Sequence, residues 1–248
     1  MCGDMNQVKG KSKMALEGAR RKLTRAEIQE LLQAQGGPIG LDLTRVSLVG
    51  EDLSYLDLRG AILTQADLTN ANLWRAQLNW TQLDGAILDR VNLSGAEVKS
   101  ALLSGASMRG ADLRGTRLNE SNLTGADLSE AVLIGADFRN CNLSNARLVR
   151  VRSRGADLRF ADISGADLSF SNLQLADLSA ARMQSVDLQE ANLTIAKLIE
   201  TDCTGAKMIK ADLRGADLEN AIMQGAILRE ANLTGADLSK TDLSAAIF

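Results

Sequence analysis

The sequence predicts an all-β solenoid: a quadrilateral parallel β-helix of about ten and a half coils with an N-terminal α-helical cap. Three features predict it. A five-residue beat runs unbroken from Leu41 to Phe248. A ten-residue alternation of glycine lies on top of that beat. Residues 1–40 fall outside the beat and carry a helix-start signature.

From Leu43 onward every fifth residue is apolar, with Ser153 as the one clear lapse, and Leu fills 32 of these 42 central positions. Ala stands two residues earlier in 28 of the 42 repeats, as in Ala126-Asp127-Leu128 and Ala236-Asp237-Leu238. A period of five fits neither a helix nor a plain strand. Residues two apart on extended backbone share a face, so Ala and Leu point inward and the intervening Asp or Asn points outward. Small Ala beside large Leu suits a narrow interior. Each unit is then a short strand plus a turn, and it buries its inner face only by stacking on neighbours.

Glycine sets the number of sides. It occupies the fifth position at 85, 105, 125, 165, 205 and 225, and again at 95, 115, 135, 155, 215 and 235. The positions between, such as Asn70, Trp80, Arg90 and Glu130, carry other residues. Gly at the second turn position permits φ > 0 and a type II turn. The alternation predicts two turn types and an even number of sides. Two sides would leave no interior for Leu, so the prediction is four sides and 20 residues per coil.

On these repeats, residues 41–248 resemble the pentapeptide-repeat family. The resemblance implies a right-handed four-sided parallel β-helix, and stacking at about 4.8 Å makes a rod about 50 Å long. It implies a non-catalytic protein-interaction role of the kind some members have. A second role it implies is that of the quinolone-resistance members, which mimic DNA to protect or inhibit gyrase. Long arrays of this kind abound in cyanobacteria.

The predicted domains are 1–40, a basic segment with a capping helix, and 41–248, the solenoid. An open solenoid end exposes strand edges and core Leu and needs a cover. Thr24-Arg25-Ala26-Glu27 matches a capping box, and Leu23 with Ile28 matches a hydrophobic staple. The helix is expected from Arg25 to about Ala34 and is stopped by Gly36-Gly37-Pro38. A weaker helix is expected over Met14–Arg21. The first coil holds Leu41, Val46, Glu51 and Leu56 at this position, and Ala appears there only from Ala61, as expected where a helix packs. Glu51 is the anomaly, and it either turns out of a distorted coil or pairs with a basic residue of the cap.

Composition bounds the chemistry. The chain has no histidine, which removes the commonest general base and metal ligand. No Cys cluster has metal spacing, and Gly36–Gly40 lacks the Lys-Ser/Thr that completes a phosphate loop. No enzyme, cofactor or metal is expected. Cys141 and Cys203 fall inward on one side, three coils apart, too far for a disulfide. Reduced buried thiols fit a cytoplasmic setting, and no apolar run of 18 residues is present to enter a membrane. Residues 1–40 hold seven Lys/Arg and four Asp/Glu, against 21 and 27 in the solenoid. A net of −6 on the rod disfavours direct nucleic-acid binding and is also a sparse copy of a duplex, which carries about one charge per 1.7 Å.

Three surfaces stand out. Arg147, Arg150, Arg152, Arg154 and Arg159 cluster around the lapse at Ser153, with no acid from 147 to 156. They form a candidate site for a phosphate or an acidic partner; otherwise they pair with flanking Asp. Asp137, Asp157 and Asp177 form a candidate acidic stripe; otherwise they pair with Arg139 and Arg159. Asn72, Asn92, Asn172, Asn192 and Asn232 share a column suited to amide ladders. At the far end, Ile227, Ile247 and Phe248 form a candidate C-terminal interface for a weak homodimer. The leading partner is an unidentified protein.

Overall fold

A computed structural model describes residues 20–248. From Asp42 to Ile247 each unit contributes one parallel bridge, and each bridge joins residue i to residue i+20, as in Asp42↔Ile62, Ser47↔Asp67, Asp52↔Asn72 and Asp57↔Gln77. In the first of these, the Ile62 N–H donates to the Leu41 carbonyl at 2.9 Å and the Leu43 N–H donates to the Ile62 carbonyl at 2.7 Å. A 20-residue return over five-residue units gives four sides. We number the faces by their outward columns, starting at Asp42, Ser47, Asp52 and Asp57.

The interior is solid. Ala126 and Leu128 are fully buried, as are most of their counterparts along the rod. Core contacts are local between coils, so each coil is stabilised by its two neighbours. Where the small inward residue is polar, it bonds a turn carbonyl. The Ser121 hydroxyl donates to the Val98 carbonyl at 2.7 Å and accepts the Ala101 N–H at 3.0 Å. Thr116 donates in the same way to Leu93 at 2.8 Å. Among the described residues no buried side-chain nitrogen or oxygen lacks a partner, as burial without water demands.

The expected alternation of two turn types is not what the chain adopts. Every fifth residue from Arg45 to Ala245 has positive φ, glycine or not: Gly85 at 61°, Trp80 at 61°, Arg90 at 55° and even β-branched Ile195 at 57°. The left-handed conformation costs a side-chain-bearing residue about 1–2 kcal/mol. Strand pairing on both sides of each corner overrides that cost, so glycine marks only where the cost is absent.

The outward Asp or Asn has a structural task that periodicity did not reveal. Its carboxylate or amide oxygen accepts the N–H two residues on and so closes the corner, as in Asp127 to Ser129 at 2.9 Å, Asp137 to Arg139 at 3.1 Å and Asn142 to Ser144 at 3.0 Å. These are Asx turns. Where the position holds Glu97, Leu102 or Ser107, a residue one coil earlier substitutes. Asn79, Asp84 and Asp89 accept the N–H groups of Lys99, Ser104 and Arg109 at 2.8, 3.0 and 3.1 Å.

Helix α1 spans Arg25–Gln35. Thr24 and Glu27 form the capping box, and Gly36 ends the helix in the left-handed conformation at φ 80°. Leu23 and Ile28 are both buried, with Leu31 and Leu32 packed against the same core. Ahead of α1 the backbone is extended. Ser47 donates to the Arg21 carbonyl at 2.8 Å and Leu23 donates to the Ser47 carbonyl at 3.0 Å. The helix expected over Met14–Arg21 therefore does not include Arg20 and Arg21, because Arg21 pairs with the open edge of the first coil; residues 14–19 lie outside the described residues. Glu51 meets the cap through a backbone group: its carboxylate accepts the Arg25 N–H at 3.1 Å.

Candidate interaction surface

The rod presents its outward columns and corners as its chemistry. Among the described residues no group of His, Cys, Asp or Glu is placed to hold a metal ion. A shallow open hollow lies along Asn142, Phe160, Asp162, Ala180 and Arg182, with the buried Cys141 at its base. The Cys141 thiol donates to the Leu118 carbonyl at 2.9 Å, and burial pushes its pKa up to about 12. Burial does the same to Cys203, also to about 12. Both are free thiols that stay protonated and unreactive near neutral pH.

The acidic stripe lies on the fourth face, in register through Asp137↔Asp157↔Asp177. It is laced with arginine. Arg139 pairs with Asp137 at 2.7 Å and reaches Asp157 at 3.5 Å. Arg159 pairs with Asp157 at 2.7 Å and reaches Asp177 at 4.0 Å. The Arg139 guanidinium, through its hydrogen bonds, holds the Asp137 carboxyl below the usual carboxylate range. This alternation offsets the repulsion that stacked carboxylates would otherwise feel.

The five-arginine cluster is split by the coil. Arg159 belongs to the corner beyond the acidic stripe and is consumed by it. Arg147 lies on the second face, between the bridged Asp127 and Asp167. Arg150, Arg152 and Arg154 share one coil and cross the third face from corner to corner, all exposed. Among the described residues, Arg147, Arg150, Arg152 and Arg154 make no ion pair within 4.0 Å. The Arg150 guanidinium lies 5.3 Å from the Phe170 ring centroid, a cation–π contact that directs it along the rod. Arg152 adds a smaller Coulombic pull to the Asp112 carboxyl, whose pKa is lowered first by its hydrogen bonds with Arg114. Ser153 sits buried beneath the three. Its hydroxyl donates to the Asn172 carbonyl at 3.1 Å, so the lapse in the Leu column is a satisfied one.

Of the expected amide ladder, Asn92 donates to Asn72 at 3.0 Å and Asn72 donates to Asp52 at 2.9 Å. Asn172 and Asn192 pair through their backbones and each closes its own corner. At the far end, Ile227 bridges Ile247, and Ile247 and Phe248 are 42% and 67% exposed. Large apolar side chains on the corners went unremarked in the sequence: Trp80, Phe160, Phe170, Leu175 and Ile195 are all exposed there. Turn positions 20 apart share a corner, which places Trp80 and Phe160 in one column and Leu175 and Ile195 in another. Near the first coils Tyr55 and Trp74 meet edge to face at 4.9 Å, with Arg75 over the Trp74 ring at 5.0 Å.

The repeat register agrees with a sequence family. The family model for pentapeptide repeats matches in eight copies, over residues 40–75, 52–90, 86–125, 136–174, 154–194, 176–215, 187–225 and 211–248. The chain belongs to the pentapeptide-repeat family. Among solved structures it is similar to HetL, a pentapeptide-repeat protein involved in heterocyst differentiation regulation from the cyanobacterium Nostoc sp. strain PCC 7120. The identity is 34%, over 90% of this chain and 96% of HetL, with a TM-score of 0.47. It is similar to a trypsin-treated form of QnrB1, a plasmid-mediated fluoroquinolone resistance protein, at 22% identity over 65% of this chain and 88% of that one, with a TM-score of 0.54. This second likeness shows the fold alone. Rfr23, a pentapeptide-repeat protein from the cyanobacterium Cyanothece 51142, is 35% identical over 37% of this chain and 63% of its own, with a TM-score of 0.37. No curated protein sequence matches the chain. No helix among the described residues is long and apolar enough to cross a membrane.

Proposed function

We propose that this pentapeptide-repeat protein is a non-catalytic interaction module whose working parts are the faces of the rod. The observation that carries this reading is the unbroken i to i+20 register from the first coil to the last. It fills the interior with Ala and Leu and turns every outward side chain into part of four wide surfaces. The proposed organisation is a solenoid of about ten and a half coils over 41–248 with residues 1–40 as its cap. Support for the cap comes from α1, whose Ile28 is buried in the core and whose first N–H is held by Glu51. We place the protein in the cytoplasm on its two buried free thiols. A weak homodimer through Ile227, Ile247 and Phe248 rests on the exposed apolar surface of Ile247 and Phe248, with Ile227 half-buried beside them.

Cross-linking the protein in its native host, identifying the attached protein and measuring direct binding between the two purified partners tests the module reading. A host partner that binds the intact rod directly supports it. The second reading is gyrase binding of the quinolone-resistance type, favoured by the fold shared with QnrB1. A supercoiling assay decides it: inhibition or protection of gyrase by the added protein favours this reading, and no effect removes it.

A further inference from the structure

We propose that the third face, at the coil of Arg150, Arg152 and Arg154, docks an extended acidic protein segment with carboxylates at alternate residues. This rests on the interaction-module reading and names the face and the chemistry of the partner.

Three observations converge. The first is unspent charge. Most acids around the rod are engaged by a neighbouring cation or close a corner, and Arg159 is paired at 2.7 Å. Arg150, Arg152 and Arg154 make no ion pair within 4.0 Å among the described residues. Unpaired exposed guanidiniums on a rod of net negative charge are a local inversion, and they offer forked donors suited to carboxylates.

The second is spacing. Val151 and Ser153 point inward and are buried, while Arg152 stands outward on the strand and Arg150 and Arg154 are exposed at the corners on either side of it. Residues two apart in the chain lie at most about 7 Å from one another, so the three arginines form a short row across the face. A partner in extended conformation presents its own alternate side chains about 6.6 Å apart, within that reach. Three carboxylates in a row Glu-x-Glu-x-Glu therefore meet the three guanidiniums one to one, whereas contiguous acids point to opposite sides of such a segment.

The third is the apolar border. One coil before, Val132 bridges Arg152, and Ile134 is 42% exposed directly below Arg154. One coil after, Phe170 holds Arg150 at 5.3 Å and is itself exposed. The corner beside Arg154 is low, because nothing lies within 4 Å of where a Cβ would stand on Gly135 or Gly155. A central charged row with apolar edges is suited to a peptide with apolar residues flanking its acids. It is poorly suited to a nucleic acid, whose next phosphates would run against the exposed Glu130 and against Asp167 and Asp187 on the adjoining face.

The test uses the full chain and two labelled peptides of one composition, Leu-Glu-Ser-Glu-Ser-Glu-Leu and Leu-Ser-Ser-Glu-Glu-Glu-Leu, with an oligothymidylate as the third probe. Fluorescence anisotropy at low salt should show the alternating peptide binding more tightly than the blocked one, and both more tightly than the oligothymidylate. Arg152→Glu with Arg154→Glu should weaken the alternating peptide by at least about tenfold while the melting temperature holds. Arg214→Glu, at the same corner three coils away and already paired with Asp212, should change nothing. Equal binding of the two peptides, preference for the oligonucleotide, or a double variant that binds like the wild type overturns the proposal. A host partner captured equally by wild type and double variant overturns this face as the site and leaves the module reading standing.

Discussion

The Glu51 carboxylate accepts the backbone N–H of Arg25 at 3.1 Å, so a residue of the first coil caps the N-terminus of α1 from outside the helix. In later coils the same position holds Ala, Val or Ser, none of which carries a carboxylate. The first N–H groups of a helix have no partner within it, and a negative group there also meets the positive end of the helix dipole. Glu51→Ala should therefore lower stability by about 1 kcal/mol, the usual worth of a capping contact. Urea denaturation of both proteins measures it; an unchanged midpoint would show that Thr24 alone holds the helix end.

Removing residues 1–40 takes away more than one cap. It deletes the segment that pairs with Ser47 through Arg21 at 2.8 Å and Leu23 at 3.0 Å, and it uncovers a strand edge. Uncovered edges recruit other chains. The truncated rod should self-associate, read as a rising apparent mass in light scattering. A truncated rod that stays monomeric with an unshifted melt would show that the solenoid end needs no cover.

Inward and outward positions should differ sharply on substitution. Leu128 is fully buried between coils, and Leu128→Ala should cost about 2–5 kcal/mol. Its neighbour Asp127 accepts the Ser129 N–H at 2.9 Å and closes one corner. Asp127→Ala should cost about 1 kcal/mol, the net worth of one such bond. Chemical denaturation of the two variants compares them, and equal losses would contradict the assignment of faces.

Acid should loosen the rod. Asp57, Asp112, Asp137 and Asp212 all have pKa values lowered chiefly by side-chain hydrogen bonds from Arg59, Arg114, Arg139 and Arg214. A carboxyl whose folded pKa lies below its unfolded one contributes its stabilisation in full above the unfolded value of about 3.9, and that contribution is lost as pH falls through the folded value. Stability should be flat from pH 7 to about 5 and then decline. Arg139→Gln should flatten part of that decline, with the effect small because the pairs are partly exposed. Melting temperatures across the acid range measure it.

The thiols should be silent until the rod opens. With pKa values pushed up to about 12 by burial, Cys141 and Cys203 carry almost no thiolate at neutral pH. In a Cys2→Ser background a thiol reagent should label nothing in the native protein and two sites in denaturant. Labelling of either site under native conditions at the rate of a free thiol would show that the coil around it opens locally.

What the sequence by itself determined is what repeats. A side chain's inward or outward sense follows from its place in the five-residue unit, because extended backbone alternates faces and a solenoid tolerates no slip in that alternation. The Leu column, the sorting of residues by 20 and the capping box were all legible on that basis. Tertiary structure decided what depends on which neighbour a side chain finds. The left-handed corners are one case: strand pairing on both sides imposes positive φ on Trp80 and Ile195 as firmly as on Gly85. Glu51 is another, since its partner is a backbone N–H 26 residues earlier. The division of the arginines is the third. Arg154 and Arg159 are five residues apart in the chain, yet the corner between them puts one beside Ile134 with no ion pair and the other between Asp157 and Asp177. Proximity along the sequence cannot separate them, because a coil that turns every five residues gives adjacent units different faces and returns to the same face only after 20.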